Sequence, residues 1–132
     1  MTLAPLLAAP AMVQVHAAAA LSALVLGAVQ FMAPKGTLPH RKIGWVWVAL
    51  MALVAVSSFG ITSASHGHRY SWIHGLSAYV LVMLPLAVLA VRGRNLRRHQ
   101  AGMAALFLGG LVIAGAFTLM PGRIMGAVVF GW

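Results

Sequence analysis

Six histidines are the only side chains in this 132-residue chain that can both titrate near neutral pH and bind a transition metal strongly. The chain has no Asp, no Glu and no Cys. That excludes carboxylate acid–base pairs, hydrolytic triads that need Asp, carboxylate-bridged metal pairs and dedicated Ca²⁺ or Mg²⁺ cages. Thiolate catalysis, disulfides and iron–sulfur ligation go with the missing cysteines. What remains is chemistry done by imidazoles, and their spacing follows a pattern. His16, His40, His74 and His99 each fall near the N-terminal end of one long apolar run. His66 and His68 lie in the loop before the third run.

If consecutive runs alternate direction, these four histidines sort into an outward pair, His16 and His74, and an inward pair, His40 and His99. Two imidazoles from opposing helices are the axial ligand set of a b-type heme. One pair in each leaflet would make an electron path across a membrane. Gly75, Ala78 and Gly102 near the ligands would leave room for a macrocycle, and basic side chains could neutralise its propionates. Arg123 is expected at the outward face near His16 and His74, against a propionate or another anion. The inward pair sits among Arg41, Lys42, Arg97 and Arg98 at headgroup depth, so the heme expectation falls first on His16 and His74. The bland alternative for His16 and His74 is a hydrogen bond to another helix, for example to Ser77, Gln14 or Gln30, because an unpaired polar group at membrane depth costs several kcal/mol. A second chemical expectation is a metal site at His66 and His68, whose His-x-His spacing can hold Zn²⁺ or Cu²⁺ with one further imidazole.

The elements that must position these residues are membrane spans. Hydrophobic residues make up 62% of the chain and charged residues 7%. A soluble domain carries about 25% charge. The apolar runs predict an all-α, polytopic, up-down four-helix transmembrane bundle in one domain, with helices over 11–32, 43–64, 72–91 and 101–120. No charge precedes Lys35, so the first run is expected to be a retained span and not a signal peptide. Thr37, Leu38 and Pro39 read as a cap and first turn, Pro85 as a kink, and Pro121-Gly122 as a stop. The tail after Arg123 is apolar but too short to span.

Charge sets the orientation. Lys35, Arg41, Lys42, Arg92, Arg94, Arg97 and Arg98 lie in the first and third loops, leaving only Arg69 and Arg123 on the other side. The bias places those two loops in the cytoplasm and both termini in the periplasm of a bacterial inner membrane. Trp45, Trp47, Tyr70 and Trp72 are expected to be interfacial anchors. Small residues at intervals of four, Ala19-Ala23-Gly27, Gly60-Ala64 and Ala101-Ala105-Gly109, predict close helix packing. The net charge of +9 is spread over short loops and forms no continuous stripe, which excludes a nucleic-acid surface and points to anionic lipids as the counter-charge.

Four local patterns together resemble an uncharacterised family of small bacterial four-helix integral membrane proteins. They are His40-Arg41 with Gly44, Trp72-Ile73-His74-Gly75-Leu76-Ser77, His99 followed by Met103, and the run 110–118 leading into Pro121-Gly122-Arg123. The resemblance implies the fold and no settled activity. A looser likeness, one histidine per helix in two pairs, is to the di-heme b-type cytochrome bundles of the ferric-reductase and ascorbate-cytochrome kind. The function expected is therefore heme b binding for transmembrane electron transfer, with a quinone or a larger membrane complex as partner. The rival is a non-catalytic accessory subunit of a respiratory or photosynthetic complex. A transporter is disfavoured because no intramembrane carboxylate is available for proton coupling.

Overall fold

Two helix starts in this chain are set by side-chain caps, at Thr37 and Asn95, that lie outside the apolar runs. A computed structural model describes the backbone of residues 2–65 and 72–131, and the side chains of 2–60 and 75–131. A four-residue helix α1 (Ala4–Leu7) comes first, and α2 (Ala11–Met32) follows Pro10. The side-chain amide of Gln14 donates to the carbonyls of Leu7 (3.1 Å) and Ala9 (2.9 Å), which ties α1 to α2. Helix α3 (Leu38–Ser65) starts five residues ahead of the apolar run, because Thr37 Oγ1 accepts the His40 amide at 3.3 Å. Helix α4 (Trp72–Arg92) runs through Pro85 without interruption. Asn95 Oδ1 accepts the Arg98 amide at 3.2 Å and starts α5 (Leu96–Phe107). Apolarity marks the lipid-facing part of a helix, whereas capping chemistry marks its start. His40 and His99 therefore lie in helical first turns and not in loops.

The fourth span does not stay α-helical. Leu108–Ile113 winds as a π-helix and returns to α geometry in α6 (Ala114–Thr118). Gly122, at φ +83°, makes the turn that no side chain would favour, and α7 (Ile124–Phe130) completes the chain. Among the described residues four helices are long and apolar enough to cross a membrane, with spans Ala11–Met32, Leu38–Gly60, Gly75–Arg92 and Leu96–Thr118.

These spans form an up-down bundle. Helix α2 packs on α3, α3 on α4, and α4 on α5, while the π segment closes the ring against α2 and α4. The order around the ring leaves α2 facing α4 across one diagonal and α3 facing α5 across the other. Helix α1 packs against α7, and the Thr2 amide donates to the Val128 carbonyl at 3.0 Å. The chain ends thus meet over one end of the bundle, here the terminal end. The α2–α3 and α4–α5 connections, with their Lys and Arg residues, form the opposite, basic end.

The interior is built from small residues and a few large ones. Met51 and Leu106 are fully buried at its centre, with Ala23, Ala55 and Ala87 letting the helices approach. Val25, Val56, Val82 and Leu89 are exposed on the outer faces, as a lipid-facing surface requires. The Ala19-Ala23-Gly27 ridge is buried as expected. In the fourth span Gly102, Leu106 and Leu111 are buried, whereas Ala101 is exposed and Ala105 and Gly109 are half-buried. The approach there is close: a Cβ at Gly102 would stand 3.2 Å from the Ala87 methyl.

Two tryptophans expected at the interface divide. Trp45 is exposed, with the Arg92 guanidinium 5.7 Å from its ring centre, as an anchor should be. Trp47 is a core residue, 5% exposed, and its indole N–H donates to the Ala23 carbonyl at 3.0 Å. Two residues on a helix are separated by roughly 200°, so the pair cannot share a face. Trp72 and Tyr70 lie outside the described side chains.

Candidate functional site

Helix α2 carries His16 toward the terminal end, and α3 carries Ser57 opposite it. His16 Nδ1 lies 2.8 Å from Ser57 Oγ, and that hydroxyl donates its only proton to the Val54 carbonyl at 3.0 Å. Ser57 Oγ must then accept, so the Nδ1 of neutral His16 carries the proton and Nε2 keeps its lone pair. The partners expected for His16 are otherwise engaged. Gln14 holds α1, Gln30 Nε2 donates to the His40 carbonyl at 2.8 Å, and Ser77 pairs with Ser58.

His16 opens on a cavity of about 130 Å³ at the terminal end. Apolar walls come from Met51, Val54 and Val80, and polar groups from Ser58, Ser77, Thr118 and Arg123. Arg123 and His16 therefore line one space, as the sequence suggested. The hydroxyls here are inward-bonded: Ser58 donates to the Ala55 carbonyl at 2.7 Å, and Thr118 to the Gly115 carbonyl at 2.6 Å. The cavity thus offers acceptor lone pairs at its wall and a guanidinium donor at its mouth.

At the basic end the geometry is different. His99, in the first turn of α5, has Nδ1 2.9 Å from the Ala87 carbonyl of α4. A carbonyl can only accept, so Nδ1 carries the proton and Nε2 is again left as a lone pair. Fixing one ring nitrogen on a backbone carbonyl is how metal-ligating histidines are usually oriented. His40, on the diagonally opposite α3, lies at the same end of the bundle. Its Nδ1 is buried and has no hydrogen-bond partner, and the same holds for Gln30 Oε1 beside it. Unsatisfied buried polar atoms are uncommon and call for a cause, such as a ligand. Arg41, Lys42, Arg97 and Arg98 stand exposed around this pair.

The two ends differ in their fit to heme. The donor chemistry of His40 and His99 suits it. At the terminal end His16 supplies a suitable nitrogen but little space. About 130 Å³ is near the roughly 150 Å³ of a cavity that holds one benzene ring. It is under the ~300 Å³ at which pockets for larger ligands begin. The small residues expected to make room divide between the two ends. At the basic end, Ala87 closes the space beside Gly102, so room for a macrocycle near His99 has to come from elsewhere. Gly75 has open space beside it, and Ala78 is exposed on the outer surface.

The side chain of His74, on α4, lies outside the described residues, as do His66 and His68 and the metal site expected of them. Among the described residues no group of three potential ligands gathers around a point where a metal ion could sit. Sequence reasoning missed Ser57 and the Ala87 carbonyl, and it offered Gln30 to His16, whereas its amide donates to the His40 carbonyl. The usable signal was Ser57-Ser58 inside an apolar span, where a hydroxyl needs a partner; a backbone carbonyl leaves no signal in composition. No protein-family model, no curated protein and no solved structure matches the chain.

Proposed function

We propose that this membrane-embedded bundle binds one b-type heme between His40 and His99 and serves electron transfer. The observation that carries this is the buried, partnerless Nδ1 of His40 across the bundle diagonal from His99, whose ring is held with Nε2 free. When bound, heme b supplies a one-electron couple. The chain's own part is to hold both imidazoles on helices, fix the His99 tautomer through the Ala87 carbonyl, and exclude water with the apolar core beneath. Arg41, Lys42, Arg97 and Arg98 supply the positive charge that propionates need, and no acidic side chain competes for it. The partner in this reading is a lipid-soluble quinone or the redox subunit of a larger complex.

Purified protein tests this by its reduced-minus-oxidised absorption spectrum. The expected result is the band of a low-spin heme b. A colourless protein that copurifies with a respiratory or photosynthetic complex would favour the accessory-subunit alternative.

Orientation follows from the loops. With seven of nine cations at the basic end, that end faces the cytoplasm of a bacterial inner membrane. Reporter fusions after Gly36 and Gly93 are expected to read cytoplasmic, and a fusion after Trp132 periplasmic. A periplasmic signal at either basic loop would invert the topology.

A further inference from the structure

The terminal-end cavity is not used by a heme on His40 and His99, yet it is built for a ligand of defined chemistry. Its volume of about 130 Å³ accommodates one six-membered ring. Its walls are apolar over most of their area, and polar groups converge from α2, α4, α6 and the turn before α7.

The direction of the hydrogen bonds narrows the choice. His16 gives its Nδ1 proton to Ser57, so Nε2 can only accept in the neutral ring. Thr118 spends its proton on the Gly115 carbonyl and also offers lone pairs. The donor at this cavity is Arg123, exposed at its mouth. A ligand that satisfies this set must donate inward, accept outward and be otherwise apolar. A ring carrying a hydroxyl at one end and an oxygen at the other does so. Most of the lining residues belong to the spanning segments, so a ligand dissolved in lipid can reach the cavity from the side. Phe117 and Thr118 on its rim are exposed on the lipid-facing side of the fourth span, which gives a lateral entrance.

We propose that this cavity binds the headgroup of a quinol. The inner hydroxyl donates to His16 Nε2, and the outer oxygen accepts from Arg123. Ser57 acts as a positioning residue, since it fixes which nitrogen of His16 faces the ring. The inference gives a place and a redox state to the quinone partner proposed above, and so rests on that part of the functional reading. Binding itself does not require the heme.

The test is equilibrium binding to the full chain in nanodiscs of neutral lipid, under anaerobic conditions. The probes are a short-tailed benzoquinol and the dimethyl ether of the same ring. The quinol is expected to bind one per chain. The ether, which cannot donate, is expected to bind about tenfold more weakly or worse, the scale of one lost buried hydrogen bond. His16→Phe should lose the quinol, and Arg123→Gln, at an exposed position, should weaken it while the bundle stays intact. Equal binding of quinol and ether by the wild type would overturn the proposal without recourse to any variant. Full displacement of the quinol by anionic lipid in the nanodisc would make the cavity a lipid-headgroup site instead. Heme content read on the same samples separates the two claims. Quinol selectivity in a heme-free protein counts against the heme alone, and a heme-loaded protein without selectivity counts against this site alone.

Discussion

Replacing Gly27 by Val is expected to be the most damaging single substitution in the core of the bundle. A Cβ at this position would lie 2.5 Å from Phe107 Cδ2, 2.6 Å from Cε2, and 3.0 Å from Trp47 Nε1. Neither neighbour is idle. The Trp47 indole is pinned by its hydrogen bond to the Ala23 carbonyl, and Phe107 stacks edge-on against Phe31 with ring centres 5.0 Å apart. Overpacking a tight interior costs roughly 1–3 kcal/mol for added methylenes. Gly27→Ala should fall in that range, with the Phe107 ring swinging toward its exposed side. Gly27→Val adds two more carbons against the pinned indole and should exceed it, giving a large drop in thermal midpoint in detergent. Gly115 is the control. No atom lies within 4 Å of its missing Cβ, so Gly115→Ala should be neutral or slightly stabilising through helix propensity. If both alanine variants melt alike, the close approach of α2, α3 and α5 is not as described.

Removing His99 is expected to abolish heme binding while leaving the bundle inserted. Loss of a residue that merely orients a metal ligand already costs about 10–100-fold in affinity. Loss of the ligand itself should cost more, so His99→Ala protein should purify with little or no heme. His40→Ala should behave in the same way. The variant that discriminates is His16→Ala. It leaves the basic end untouched, so the heme spectrum should survive. A spectrum lost in His16→Ala and kept in His99→Ala would move the ligands to the terminal end, where His74 would be the second imidazole.

The sequence carried the architecture because hydropathy and charge act over whole segments. Four apolar runs broken by basic loops leave few alternatives to an up-down bundle. What it obscured depends on phase and on contacts between distant residues. Trp47 read as an anchor because basic residues stand near it, yet its two-residue offset from Trp45 turns it inward. In the fourth span the intervals of four picked Ala101 and Ala105, whereas the buried face lies one residue on, at Gly102 and Leu106, because an Ala- and Gly-rich run offers several such rows.

The candidate site divides in the same way. That His40 and His99 share one end of the bundle follows from alternating helix direction and was legible. Their relative merit against His16 and His74 was not, because it turns on space and on orphaned atoms. Headgroup depth appeared to weaken the basic pair. In the fold, the caps at Thr37 and Asn95 draw both histidines into helices, and His99 reaches back to Ala87. His16 bonds to Ser57, 41 residues away, a contact that no local pattern announces.

The ratio of heme to chain in purified wild-type protein tests the central claim most directly. One heme on His40 and His99, with a terminal cavity sized for a single ring, predicts a ratio of one. A ratio of two would place a second heme at the terminal end and contradict the quinol site there, and a ratio of zero would contradict the heme itself.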